Sequence, residues 1–471
     1  MQTLNSLQLD PNRYFEPEPK QGNLAASLFS SIQHLPIVSP HGHVDANILL
    51  NNSFENPAQF LITSDHYVFR MLYSHGLSLE QLGVPTRDGK NVEQDPRKIW
   101  NLFCQHYYIF AGTPTALWLK YVLVEVFGIF EKPNAKNANR LYDELAIKLT
   151  TNAFSPREMF KRFKIEVLST TDAVTDTLEA HQNLLLEGWN MVRPTFRPDQ
   201  VLNLNTPDWL KNIQTLSKRS NINITDFNSF IAALEERRAF FKSLGATATD
   251  HDAFSPHTEK LEAHELNTIF NSALKKNLNT NDASRFMAHM LIEMAGMSSQ
   301  DGLVMQLHVG SLRSHNRSLL ARFGSDHGSD IPVSVDWTRG LRALLEEFGN
   351  HPSLRIILFT LDESTYSREL APLAGHYPVL RLGPPWWFFD SKKGIERYLD
   401  AVLETTGVYK LAGFNDDSRN LAVIPARHDL WRRVTCNWLA GLVIRGQLDE
   451  DDAAIMAKAL AYDLAKKAYG L

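Results

Sequence analysis

The chain is expected to fold as an α/β protein, a distorted (β/α)8 TIM-type barrel, on three observations. Short apolar runs rich in β-branched residues recur eight times. Segments with helical periodicity separate most of them, and every run ends in polar residues able to do chemistry. Buried parallel strands read as continuous apolar runs, and barrel active sites collect at the carboxyl ends of such strands. An open doubly wound sheet is the competing architecture.

The first run is Leu35 to Val38, leading into Ser39-Pro40-His41-Gly42-His43-Val44-Asp45. The second, Ile165–Leu168, delivers Ser169-Thr170-Thr171-Asp172, and the third, Met191–Phe196, delivers Arg197. The fourth is Ala246–Thr249, before Asp250-His251-Asp252, and the fifth is Leu303–Leu307, before His308. Leu354–Leu361 leads to Asp362-Glu363, Val379–Leu382 to Gly383-Pro384-Pro385-Trp386-Trp387, and Leu411–Phe414 to Asn415-Asp416-Asp417-Ser418-Arg419.

Helices are expected over Asp172–Glu187, with the acid as N-cap, over Trp337–Phe348, stopped by Gly349, and over Lys392–Thr406, stopped by Gly407. Strands one and two stand much further apart than a crossover needs. Residues 46–160 therefore read as a helical cap, with helical stretches at Pro96–Phe110, Ala116–Phe127 and Ala138–Leu149. Residues 205–243 read as a second, smaller helical insertion between strands three and four, and Asp429–Arg445 and Asp449–Ala468 as the closing helices.

At 471 residues the length suits one barrel domain over residues 1–471 with these insertions. A net charge of −5 with scattered basic residues gives no bias toward nucleic acid or an anionic membrane surface. The polar stretch Met1–Lys20 lacks the apolar core of a signal peptide, and no apolar run is long enough to span a bilayer. The two cysteines, Cys104 and Cys436, sit in apolar stretches outside any metal-binding spacing, as expected in a reducing cytoplasm.

The chemistry begins at His41 and His43. With 17 histidines, roughly 0.6 His-x-His pairs arise by chance, so placement at the first strand's end is what matters. Residues i and i+2 point to one side, so two imidazoles can converge on one cation. Asp417, ending strand eight beside strand one, adds a carboxylate, giving a set suited to Zn²⁺, Mn²⁺ or Fe²⁺. Asp416 is the rival ligand, and a helix N-cap is the ordinary alternative for Asp417. His308 and Asp250-His251 offer further ligands or groups that orient them. Arg197, Arg313 and Arg419 all follow strand ends and together imply an anionic substrate. Trp386-Trp387-Phe388 either stacks on a sugar face or packs.

Taken in order, these motifs resemble the uronate (glucuronate) isomerase family of the amidohydrolase superfamily. The resemblance runs from about Leu35 to the C-terminus. It rests on His-Gly-His at 41–43, Asp65-His66-Tyr67 with Arg70, Thr170-Thr171-Asp172, Phe196-Arg197-Pro198-Asp199, His308-Val309-Gly310-Ser311-Leu312-Arg313, Gly383 to Phe388, and Asp417-Ser418-Arg419. It implies interconversion of D-glucuronate with D-fructuronate and of D-galacturonate with D-tagaturonate in hexuronate breakdown. It also implies one divalent metal, zinc first with manganese or iron as alternatives, held by His41, His43 and Asp417. By the same resemblance Arg197 and Arg419 hold the substrate carboxylate, and His66 and Tyr67 reach in from the first insertion. His308, Arg313 and Trp386 line the pocket, and Asp250 is the strand-four acid. Ser39-Pro40, Gly42 and Asp416 depart from the family's usual residues, which bears on substrate preference.

A metal-dependent amide or lactone hydrolase on the same fold is the nearest rival. Strand six ends in Thr360-Leu361-Asp362-Glu363 without the histidine such hydrolases commonly use, which favours a single-metal isomerase. A non-catalytic sugar-acid-binding protein is a further alternative, one with no need for the metal trio. For the isomerase, a cis-enediol route assigns the hydroxyl proton to Asp417 and the C2 proton to Tyr67 or His66. The expected partner is a small hexuronate, with no nucleic acid and no membrane; a homo-oligomer is also expected.

Overall fold

The computed structural model describes residues 6–206 and 208–471. The first five residues of the polar Met1–Lys20 stretch, and Pro207 of the second insertion, lie outside the described residues. Strands β1 (Ile37–Ser39), β2 (Ile165–Ser169) and β4 (Val192–Arg193) form one parallel sheet in that order. β3 (Asp172–Ala173), β5 (Phe196–Arg197), β6 (Ala248–Ala253), β7 (Val304–Val309), β10 (Ile356–Thr360) and β11 (Leu380–Leu382) form a second, also parallel. β8 (Ser311–Leu312) and β9 (Ile331–Pro332) make a small antiparallel pair between β7 and β10.

The two sheets are joined by the chain itself. β2 runs on into β3 and β4 into β5, so neighbours in space follow the order of the sequence. Pro194 explains the break in the third run, because it has no N–H to give the ladder. Single hydrogen bonds bridge the gap: Thr170 N–H donates to Arg193 O at 2.9 Å and Asp172 N–H to Thr195 O at 3.1 Å. The expected helix over Asp172–Glu187 is corrected accordingly. Asp172 belongs to β3, and the helix occupies only Glu179–Leu186, entered through Leu178 at φ 54°.

The fourth strand is later and longer than its apolar run. It carries Asp250, His251 and Asp252 within the ladder, which is possible because those groups find partners inside the protein. The eighth run forms no continuous ladder. Leu411 bridges Leu382, and Ala412 N–H donates to Leu382 O at 2.8 Å. Gly413 then turns the chain at φ 74°, where a Cβ would stand 2.5 Å from the backbone nitrogen of Ala465.

Between β1 and β2 the helices Pro96–His106, Pro114–Tyr121 and Ala138–Leu149 occupy the anticipated stretches. Proline at the first helical position after Asp95 or Thr113 explains two of their starts, since each capping side chain accepts a first-turn N–H. Trp209–Ser220 and Phe227–Ser243 fill the later helical region. Trp337–Phe348 is divided at Leu341, whose ψ of −1° interrupts the helix. Ile424–Ile444 is buried along almost its whole length against Pro19–Ile32 and the sheet. Among the described residues no helix is long and apolar enough to cross a membrane.

Candidate metal and sugar-acid site

His41 and His43 follow β1 in a loop held against the far end of the chain. His43 N–H donates to Ser418 O at 2.8 Å, and the Thr171 hydroxyl donates to Gly42 O at 2.9 Å. This brings the Nε2 atoms of His41 and His43 to 3.6 and 3.2 Å from Asp417 Oδ1. The Asp417 backbone is left-handed at φ 43°, a conformation aspartate tolerates better than most residues. Its Oδ2 accepts the Trp386 indole N–H at 3.1 Å. Burial alone raises its carboxyl, but His43, His41 and Arg427 outweigh that and hold it far below the usual range. Asp416 turns away and takes His428 Nε2 at 3.2 Å, so geometry separates the two rival acids.

His308, on β7, stacks on His41 with ring centroids 4.9 Å apart. Its Nδ1 meets Asp250 Oδ1 at 2.7 Å, an arrangement that leaves Nε2 as the lone-pair nitrogen. That Nε2 is buried without a hydrogen-bond partner, as is Asp417 Oδ1. Buried donor atoms are seldom left unpaired, and two imidazoles with one carboxylate within 4.8 Å of one another suit a borderline divalent ion. The residues present therefore fit the implied metal. His41, Asp250 and His308 form a second such group sharing His41.

His66 and Tyr67 open the helix His66–Ser74, whose N-cap Asp65 accepts the Tyr67 N–H at 2.8 Å. The His66 ring lies flat on Trp387 at 5.0 Å, and its Nδ1 is buried without a partner. Burial first, then the Arg419 charge, hold His66 well below its ordinary value, so the ring is neutral. Burial pushes the Tyr67 phenol up, so it stays protonated, and the Arg427 guanidinium lies 5.1 Å from its ring.

The three arginines all line the same cavity of about 520 Å³, together with His41, His43, His66, Tyr67, His308, Asp250, Trp386 and Asp417. They are unequally engaged. Arg197 meets Asp199, Asp250 and Asp252 at 2.6, 3.2 and 3.6 Å. Arg313 meets Asp252 and Asp330 at 2.8 and 2.7 Å. Arg419 meets Asp326 at 2.7 Å. Burial raises Asp250, but Arg197 and His308 reverse this and hold it well below the carboxylate range. His251 points elsewhere, to Thr249 Oγ1 at 2.8 Å, and burial pushes it down to about 3.

Sequence reasoning did not single out Asp252, Asp326 and Asp330, or the buried Arg427–Asp390 pair behind Tyr67. Asp252 was visible as a neighbour of Asp250. The other acids sit in polar loop sequence that carries no periodic signal.

A sequence profile of the glucuronate isomerase family matches residues 20–469. A uronate isomerase of Nostoc punctiforme is 55% identical over 465 residues, covering 98% of each chain. The crystal structure of glucuronate isomerase from Caulobacter crescentus superposes with a TM-score of 0.97 at 43% identity, covering 99% of this chain and 97% of that one. That of a uronate isomerase from Thermotoga maritima gives 0.91 at 27% identity, covering 98% and 99%. The chain belongs to the glucuronate isomerase family.

Proposed function

We propose that the protein interconverts D-glucuronate with D-fructuronate, and D-galacturonate with D-tagaturonate, at a single-metal site in the mouth of a closed (β/α)8 barrel. Closure is supported by the His43 N–H to Ser418 O bond, which joins the first strand's loop to the segment after the eighth run. Residues 46–160 act as a helical cap and residues 205–243 as a second insertion. One observation carries the reading: Asp417 and His308, whose Oδ1 and Nε2 are buried without a hydrogen-bond partner, line the same arginine-lined cavity as the neutral His66.

His41, His43 and Asp417 are the residues that would hold the cation, Zn²⁺ by preference with Mn²⁺ or Fe²⁺ as alternatives. When bound, it supplies Lewis acidity toward oxygens of the open-chain sugar. Arg419 and Arg197 orient the C6 carboxylate and so fix the other end of the molecule. His66, neutral and braced by Trp387, takes the C2 proton and returns it to C1. Tyr67 donates a hydrogen bond to the oxygen on which negative charge develops. Asp417, ionised, accepts and returns the hydroxyl proton moving between O2 and O1. Residues 46–160 keep bulk water from the intermediate.

The test is incubation of purified protein with D-glucuronate and with D-galacturonate. Keto-uronate should form from at least one, cease on removal of metal by a chelator, and return when Zn²⁺, Mn²⁺ or Fe²⁺ is restored. Absence of turnover with both sugars in metal-replete protein would overturn the proposal.

A further inference from the structure

We propose that Asp326 is an internal stand-in for the substrate carboxylate, occupying Arg419 until a hexuronate displaces it. This rests on Arg419 as a carboxylate anchor. Arg197 and Arg313 are locked into one network through Asp252, with Asp199, Asp250 and Asp330 completing it. Four carboxyl groups there already engage two guanidiniums, so Arg197 and Arg313 exchange partners less readily than a singly paired arginine does. Arg419 is different. Among the described residues its one ion-pair partner is Asp326 at 2.7 Å, and Asp326 forms no other ion pair or side-chain hydrogen bond.

The two sides of that pair are unequal. The Arg419 side chain is 19% exposed and held by the fold, whereas that of Asp326 is 49% exposed. Asp326 sits between Gly324 and Gly328 with its own backbone in the left-handed region at φ 72°. Such a segment gives way more readily than the strand-end loop that carries Arg419. Partial shielding from solvent acts to raise this carboxyl, but the Arg419 guanidinium outweighs it and holds the group below the usual range, so it stays charged. It therefore offers Arg419 the same chemical group as the substrate, in the same cavity.

The loop also leans on the helix that presents the proposed C2 base His66. A Cβ at Gly328 would stand 3.0 Å from Arg70 Cβ, and the His327 ring lies 6.1 Å from Phe69. Arg70 and Phe69 share the helix of His66 and Tyr67. Displacement of Asp326 thus frees a loop that touches that helix, linking arrival of the carboxylate to the proton-transfer end of the site.

An intramolecular competitor lowers apparent affinity by the fraction of anchor it occupies. Steady-state kinetics of metal-loaded Asp326→Asn with D-glucuronate should therefore show KM lowered about threefold or more, with kcat/KM raised. Added KCl should raise KM more steeply in Asp326→Asn than in the unaltered enzyme, since chloride then reaches an unmasked guanidinium. An unchanged or raised KM in Asp326→Asn, or an unaltered salt response, overturns the proposal. Arg419→Ala separates the two readings. If it leaves KM unchanged, the anchor reading fails and the stand-in with it. If it raises KM while Asp326→Asn does not lower it, the stand-in alone fails.

Discussion

Asp172 shows how a single half-buried acid shapes this protein. Its Oδ2 accepts the Thr170 hydroxyl at 2.6 Å, yet burial, reinforced by the Asp176 charge, pushes its carboxyl up from 3.8 to about 7. A raised acid lets the folded chain keep a proton that the unfolded chain has released. Its contribution to stability is intact below pH 3.8 and is lost as pH climbs toward 7. Asp172→Asn should therefore raise the melting temperature more at pH 8 than at pH 4. A gain confined to acid pH would contradict the assignment. At this scale the site was legible where a polar residue stands within three positions of the end of an apolar run, as His41, His308 and Asp417 do. Asp326 was not, because an acid between two glycines reads as ordinary solvent loop.

The helix His66–Ser74 is an element whose start matters more than its length. Asp65 accepts the Tyr67 N–H, and the proposed C2 base His66 and the proposed oxyanion donor Tyr67 ride on the first turn behind it. Asp65→Ala should cost about 1 kcal/mol of stability, the usual value of a lost cap. It should also depress kcat disproportionately, because the rings of His66 and Tyr67 lose their fixed entry angle. Urea unfolding and turnover measured together decide it: a stability loss with full kcat would count against the positioning role. Element boundaries were legible where a cap and a proline announce them, as at Asp95-Pro96, although the same signal at Thr113-Pro114 starts its helix two residues before the expected Ala116. They failed where tertiary pairing overrides local pattern. Asp250, His251 and Asp252 look like a loop, yet Arg197, His308 and Thr249 satisfy them within a strand.

At the scale of the molecule, the apolar interior forms two clusters that share the work unevenly. One gathers the later strands and their helices. The other joins Phe60, Leu72, Trp100 and Leu145, from between β1 and β2, with Ile165, Ile357 and Ala412 of the strand segments. Sequence periodicity reveals which face of each helix is apolar, but not that residues hundreds of positions apart meet. Tyr469 is the clearest case. Its hydroxyl donates to Gln306 Oε1 at 3.0 Å and accepts from Asn415 Nδ2 at 3.2 Å, tying the last helix to two strand segments. Tyr469→Phe leaves two buried amides short of a partner and should cost about 1–3 kcal/mol in chemical denaturation. A neutral result would mean that the two amides re-pair with each other.

The placement of His66 and Tyr67 has a consequence for how such a protein can be altered. The proposed cation ligands and the arginines follow strand ends, while the proposed C2 base His66 and its neighbour Tyr67 arrive on a helix outside the sheet. The proposed cation ligands and the proposed C2 base thus have separate addresses along the chain. A laboratory redesign could exchange the residues around position 66 to seek a different proton-transfer geometry, leaving the cation and carboxylate sockets untouched. The reverse swap would disturb every donor at once.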